Sequence, residues 1–375
     1  MRRIALTAVA LAVAWAGPAP AAGPPPVHAS AYLVENATTG EVLASSNAHE
    51  QVPIASITKL MTVLLALRHH RLTDVVAVDP RAAAVGESTA NLEPGERLTI
   101  ADLVEAALIQ SANDAADALA LSVSPSFEAF AGLMNTEAAK LGLRDTHFVR
   151  PDGLDAAGER SSAADVTRLA RIVMRDPFVR RTVAQETATI SGGEVLHTWD
   201  DLLGRVPGVI GVKTGHTDAA GWCQVAALRG PGGTLIYAAI LGEPSRSVRN
   251  DDLTSLLVWA EAQYRVVPVV QARRVYAHAQ LPYGDQPLAL VAARPLRAAA
   301  RIGRPLTERV TAARSVSLPV RKGAVLGRVQ IWSGGRLVGS RDLIAARSVP
   351  RPSALRRLGW YAGRSAHHLV QLITP

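Results

Sequence analysis

The 375-residue chain carries a single cysteine, Cys223, so it cannot form an intrachain disulfide and must be stabilised by packing. Cys223 reads as a small buried apolar residue. Aromatic residues make up only 4% of the chain, and no basic run is interleaved with them. That disfavours nucleic acid, whose recognition combines cations with stacking platforms. The formal net charge of +8 still admits a membrane surface or an anionic cell wall as neighbour. Two histidine pairs are adjacent, His69-His70 and His367-His368, and no His-x-x-x-His helix spacing appears. Metal-dependent hydrolysis is therefore disfavoured, and neither a metal nor another cofactor is expected. No internal repeat is visible. Lysine is scarce as well: Lys59, Lys140, Lys213 and Lys322 stand among 40 basic residues. Arginine keeps its proton at biological pH, so a lysine in this chain suggests a place where a removable proton or a compact ammonium is wanted.

What is present begins with an export pattern. Arg2 and Arg3 precede the small-apolar run Ile4 to Ala16, and Ala19-Pro20-Ala21 supplies a small-x-small cleavage site. The run is too short for a comfortable membrane span. Residues 1–22 are expected to be a signal peptide, cut near Ala21 or Ala22 and followed by the Pro-rich linker Gly23 to Pro26.

Beyond the linker, Ala31 to Glu35 and Glu41 to Ser45 read as strands joined by a turn over Asn36 to Gly40. Helices are predicted within Pro53 to His70, opening on Ser56 and Ile57, from Ile100 to Gln110 with Thr99 as cap, onward to Leu121, from Ser126 to Leu141 ending at Gly142, and from Ser162 or Ala163 to Met174. Phe148 to Gly158 reads as a loop rich in Pro, Asp and Gly. Strands return at Val209 to Thr214, Gly221 to Arg229 and Thr234 to Leu241, and a helix follows from Leu253 to Tyr264. Strands, then helices, then strands indicate an α/β sheet domain with a helical insertion. Composition shifts at Val266 to Pro268. Residues 269–350 are short, alternating and strand-like, as in a β-rich accessory domain, and Pro352 to Thr374 is helical again.

The stretch PIASITKLMTVLLALRHH, Pro53 to His70, is the most informative. Leu60, Met61, Leu64, Leu65 and Leu67 recur at helical spacing, so the helix buries much of its circumference. Ser56 and Lys59 project from one side of its first turn. A serine hydroxyl is a weak nucleophile until a base takes its proton, and a lysine is such a base only when its pKa is lowered. A capping serine followed by a snorkelling lysine would look the same, because Ser-x-x-Lys is a weak pattern in isolation. Two further pieces strengthen it: Ser111-Ala-Asn113, in a break between helices, and Lys213-Thr214-Gly215, at the end of a strand. A strand edge can align an extended substrate, and Gly215 permits close approach.

Together these motifs resemble the penicillin-binding proteins and class A β-lactamases. PIASITKLMT, IQSANDAADALA and GVKTGHTDAAGWC look most like the low-molecular-mass D-alanyl-D-alanine carboxypeptidases. The resemblance covers about Ala29 to Tyr264, and more loosely the β-rich domain and terminal helix. It implies a β-lactamase/transpeptidase-like antiparallel sheet with a helical insertion for residues 29–265. It also implies roles. Ser56 would attack the carbonyl between two D-alanines of a peptidoglycan stem peptide, with Lys59 as base. Ser111 would relay a proton to the leaving amine, and Asn113 would hold the substrate amide. Lys213 would keep the site positive, and Thr214 would bind the terminal carboxylate, which Arg249 would also face. The main-chain N–H groups of Ser56 and His216 would form an oxyanion hole. β-Lactam antibiotics would acylate the same serine.

Two alternatives remain at the level of sequence. A class A β-lactamase would need a glutamate after Ser111-Ala-Asn113 to activate water, but Arg150 to Glu159 lacks the Glu-x-x-Leu-Asn pattern of that family. A non-catalytic wall-binding or penicillin-sensing protein would have no need of a reactive Ser56–Lys59 pair. Finally, at about 100° per residue the tail 352–375 places Leu355, Leu358, Tyr361, Ala362, Ala366, Leu369, Val370, Leu372 and Ile373 on one half of a helix. Arg356, Arg357, Arg364, His367, His368 and Gln371 take the other half, and Trp360 is the apolar exception. That pattern suits an interfacial helix on anionic lipid, holding an exported enzyme to the outer face of the cytoplasmic membrane.

Overall fold

Apolar runs from the two ends of one segment meet in a single antiparallel sheet, ordered Glu41–Ser46, Ala31–Asn36, Leu235–Glu243, Gly221–Arg229, Val209–Thr217. The structure, a computed structural model, describes residues 6–13, 23–283, 286–358 and 360. Alternation along the strands decides the two faces. Tyr32, Val34, Ala226, Leu228, Ala238 and Ile240 pack with Leu253, Leu256 and Leu257 of the helix Arg246–Ala262. Ala31, Leu33, Val225, Ala227, Ala239 and Leu241 belong to the larger core shared with the helical region. Burial of both faces explains why the central strands read as almost unbroken apolar runs.

That larger core is centred on the helix Lys59–His69, whose Leu60, Met61, Val63, Leu65 and Ala66 are buried. A fully buried Leu or Met contributes about 1.5–3 kcal/mol. The single helix expected to open on Ser56 and Ile57 is instead two pieces. Ala55–Thr58 is a 3-10 turn and the α-helix begins at Lys59. Ala55 takes a positive φ of 49°, which an α-helical start would forbid. The helix expected over residues 100–110 also changes character. Thr99 and Asp102 close a capping box, Ile100–Glu105 is α, and Ala106–Gln110 widens into a π turn.

Asn113–Val123, Phe127–Leu141 and Ala163–Val173 complete the predicted helices, with Ser126 and Ser162 as caps and Gly142 at the C-terminus of the second. The helix Pro177–Thr182 and the short hairpin Thr187–Thr189 with Val195–His197 had no clear sequence signal, being too short to show a period. The helix expected from Leu253 starts at Arg246, because its polar first turns are anchored by ion pairs to Asp201 rather than by apolar contacts.

The chain divides into two compact units between Ala262 and Gln263. The composition shift at Val266 to Pro268 lies within the strand Tyr264–Val270, paired with Leu296–Arg301. Pro268 is tolerated there because the sheet has only two strands, so its missing N–H can face away from the partner. The second unit holds a six-stranded sheet ordered Leu6–Val13, Leu306–Ala313, Val325–Ser333, Arg336–Ala345, Leu288–Ala292, Val275–Ala279. Part of the expected leader thus lies on a strand, while the cleavage sequence Ala19 to Ala22 lies outside the described residues. In the tail, residues 354–358 are helical. Leu355 and Leu358 are 83% and 68% exposed. Trp360 packs edge-on against Tyr283, with ring centroids 5.5 Å apart. Tyr361, Ala362, Arg364, Ala366, His367, His368, Leu369, Val370, Gln371, Leu372 and Ile373 lie outside the described residues. Among the described residues no helix is long and apolar enough to cross a membrane.

Candidate active site

The 3-10 turn sets the geometry of the first motif. With three residues per turn, positions i and i+3 eclipse, so Ser56 and Lys59 stack directly. Lys59 Nζ donates to Ser56 Oγ at 2.7 Å. It also donates to Asn113 Oδ1 at 2.7 Å and to the Asp152 carbonyl at 2.6 Å. Lys59 is fully buried. Burial, the largest influence, lowers its pKa from 10.5 to about 8, against the opposing pull of Asp152, Asp117 and Asp114.

The second motif is placed by strain. After the π turn, Ser111 enters the left-handed region at φ 62°, ψ 29°, and the Ala112 N–H reaches back to the Ala106 carbonyl. This reversal starts the next helix at Asn113 and leaves Ser111 facing a cleft. The segment 86–92 is clamped over the break. Asn113 donates from its backbone to Ser88 and from Nδ2 to the Gly86 carbonyl. Asp114 accepts the N–H groups of Ala90 and Leu92.

The third motif lies on Val209–Thr217, the edge strand of the sheet. Lys213 Nζ donates to Ser111 Oγ at 2.8 Å and to the Thr214 carbonyl at 2.8 Å. Its pKa falls well below 10.5, first by burial and then by the charge of Lys59. Gly215 faces the nucleophile turn: a Cβ there would lie 2.9 Å from the Ile54 carbonyl oxygen and 3.1 Å from the Ser56 nitrogen. Glycine is needed for this approach. The exposed His216 ring stacks on Trp222, with centroids 4.1 Å apart.

These pieces line one cleft with Ser56, Ser111, Asn113, Thr214, Gly215, His216 and Arg249 on its walls. All nine residues singled out from the sequence therefore converge: Lys59 and Lys213 lie beneath the two wall serines to which they donate. Arg249 is only 1% exposed, and its guanidinium is tied to Asp201 and Asn250 beneath Trp222.

Several participants had no sequence signal. Trp199 lines the cleft and is held by Arg246 across its face and by an indole hydrogen bond to the Gln110 carbonyl. The loop 148–158 supplies the Asp152 carbonyl under Lys59, and its next residue, buried Glu159, accepts from Thr58 Oγ1. Asp155 accepts from Thr217 Oγ1 at 2.6 Å, linking the loop to the edge strand. The abundance of Asp, Pro and Gly marked this stretch as a loop, but nothing showed what it would grip.

Comparison with known proteins decides the family. The D-alanyl-D-alanine carboxypeptidase model of peptidase family S11 matches residues 19–244. The chain belongs to this family. It is 33% identical over 275 residues to the D-alanyl-D-alanine carboxypeptidase DacD of Escherichia coli, covering 70% of this chain and 71% of that protein. It is 29% identical over 335 residues to the carboxypeptidase DacF of Bacillus subtilis, covering 86% of each. Among solved structures, penicillin binding protein 6B from Escherichia coli aligns with a TM-score of 0.63 at 26% identity, covering 87% of this chain and 98% of that one. Penicillin binding protein 5 from Haemophilus influenzae aligns with a TM-score of 0.64 at 25% identity, covering 88% and 100%. The carboxypeptidase fold thus includes the antiparallel sheet with its helical insertion and the β-rich unit.

Proposed function

We propose that this serine-type D-alanyl-D-alanine carboxypeptidase acts through an acyl-enzyme on Ser56, with Lys59 as its base. The observation that carries the assignment is the set of three acceptors around a fully buried Lys59 Nζ. An ammonium has three protons and uses all three here. A neutral amine has two protons and one lone pair. The two protons serve Asn113 Oδ1 and the Asp152 carbonyl, and the lone pair is left for Ser56. The 2.7 Å contact then reverses, with the Ser56 hydroxyl donating and its oxygen poised for attack.

The attacking oxygen bonds to the carbonyl carbon between the two terminal D-alanines of a stem peptide, and its proton passes to Lys59. Collapse of the adduct breaks the C–N bond. The leaving amine takes a proton through Ser111, which Lys213 contacts at 2.8 Å. Water then hydrolyses the ester and restores Ser56. Asn113 holds the substrate amide, and Thr214, Lys213 and Arg249 receive the terminal carboxylate. The main-chain N–H groups of Ser56 and His216 carry the oxyanion; such donors are typically worth about 2.7–4 kcal/mol each. A β-lactam acylates Ser56 by the same route. Glu159, the glutamate closing the loop 150–159, is engaged under Thr58 rather than lining the cleft, so this loop offers no β-lactamase-type deacylating glutamate.

The enzyme works outside the cytoplasmic membrane after export on residues 1–22, held to anionic lipid by the tail helix. The exposed Leu355 and Leu358 on its apolar side support that reading. The catalytic assignment is tested by intact-mass analysis after penicillin and by D-alanine release from a pentapeptide. Wild type gains one penicilloyl adduct and releases D-alanine. Ser56→Ala does neither, while its melting temperature stays close to wild type, since Ser56 caps no helix. An adduct on the Ser56→Ala protein would refute the assignment.

A further inference from the structure

Away from the cleft, three chain segments bring together His28, Glu243 and Asp252. One nitrogen of His28 and one carboxylate oxygen from each acid lie within 4.8 Å of one another. Asp252 already accepts the His28 backbone N–H at 2.7 Å and stands 2.9 Å from its Nδ1. Glu243 is the anomaly. It is 1% exposed, and neither carboxylate oxygen has a hydrogen-bond partner. Two neighbours act on the acid: the Asp252 carboxylate, which can bond to it only through a shared proton or cation, and the Ala29 backbone, whose N–H does not meet an oxygen in hydrogen-bonding geometry. A buried carboxylate without donors is costly, and a second one beside it makes the cost larger. A cation shared by the two removes it.

We propose that His28, Glu243 and Asp252 bind a divalent transition cation of the zinc type. The donor set of one imidazole nitrogen and two carboxylate oxygens matches zinc chemistry, and two negative charges balance the ion. Zinc–ligand bonds of about 2.0–2.2 Å require the donors to draw together. The His28 side chain is 69% exposed, so it can turn toward the ion and leave a fourth position to water. His28 stands 224 residues before Asp252, so no local spacing announces the set.

The placement gives the ion a purpose within this molecule. Glu243 pairs across the sheet with Trp222, and Asp252 follows Arg249 by one helical turn. Trp222 and Arg249 are both cleft residues. The ion staples the segment that leads into the first sheet strand onto the two elements behind that wall.

The full-length protein, stripped with a chelator and dialysed, is titrated with zinc chloride by calorimetry and followed by thermal melting. One equivalent is expected to bind, with a rise in melting temperature and slower proteolysis of the segment before Ala31. Glu243→Gln and His28→Ala should each weaken zinc binding at least tenfold, while penicillin acylation of Ser56 persists in both. Two results would overturn the proposal. One is wild-type protein whose melting temperature zinc leaves unmoved while Glu243→Gln stabilises it, meaning that a proton occupies the pair. The other is equal zinc affinity in wild type and both variants, meaning that the ion binds elsewhere.

Discussion

At the scale of single residues, the proposed chemistry rests on a lysine made deprotonatable by its surroundings. Lys213, expected from the family resemblance to keep the site positive, would by its charge depress Lys59. Burial instead is the largest cause for both lysines, and the charge of Lys59 adds to the fall of Lys213. In the proposed route acylation needs the neutral form of Lys59. Its rate should rise about tenfold per pH unit below pH 8 and level off above, as expected for a base with a pKa of about 8. Stopped-flow measurement of penicillin acylation from pH 6 to 10 checks this, and a flat profile would contradict it. Lys59→Arg retains the cation but has no usable lone pair. Acylation should drop by about 10²–10⁴-fold, the usual worth of a positioned base, with the fold retained by circular dichroism.

At the scale of elements, the loop 148–158 holds the nucleophile turn from below. Gly153 sits at φ 78°, and a Cβ there would stand 2.3 Å from the Ala55 carbonyl oxygen and 2.9 Å from Thr58 Cβ. No side chain fits without moving the turn that carries Ser56. Gly153→Ala should therefore destabilise the protein by about 1–3 kcal/mol through overpacking, with further loss from the positive φ. It should also slow acylation at temperatures where the variant remains folded. Denaturant melts and acylation rates measured together test the coupling. A variant that melts early but acylates normally would show that the loop supports only the fold.

At the scale of the whole molecule, the proposed membrane anchor is the tail. Leu355, Arg356, Arg357 and Leu358 are all exposed. Trp360, the apolar residue on the basic side, is not wasted in solvent, because it packs on Tyr283. Each basic residue near an anionic bilayer contributes about 1 kcal/mol, an attraction that salt weakens. Deleting residues 352–375 should release the enzyme from anionic vesicles without changing hydrolysis of a soluble peptide. Equal sedimentation of truncated and full-length protein would assign the tail to the protein's own packing.

That nine residues would converge on one cleft was legible in the sequence because chemistry of the proposed kind needs particular atoms in particular local frames. A turn that stacks Ser56 on Lys59, a helix break exposing Ser111 and Asn113, and a strand end carrying Lys213, Thr214 and Gly215 are all short-range patterns. The helices and the antiparallel strands were legible for the same reason, since their periods are written within about a dozen residues. Contacts between distant segments were not. The carbonyl of Asp152 became a Lys59 partner, Arg249 became tied to Asp201, and Trp199 became a cleft wall only through packing. The domain boundary fell at Ala262 rather than at the composition shift because Tyr264–Val270 finds its partner strand some thirty residues later, as the pairing of Val267 with Ala298 shows. Local propensity determines which atoms are offered along this chain. The fold decides which of them are buried, and burial is what lowers the pKa of Lys59 to about 8.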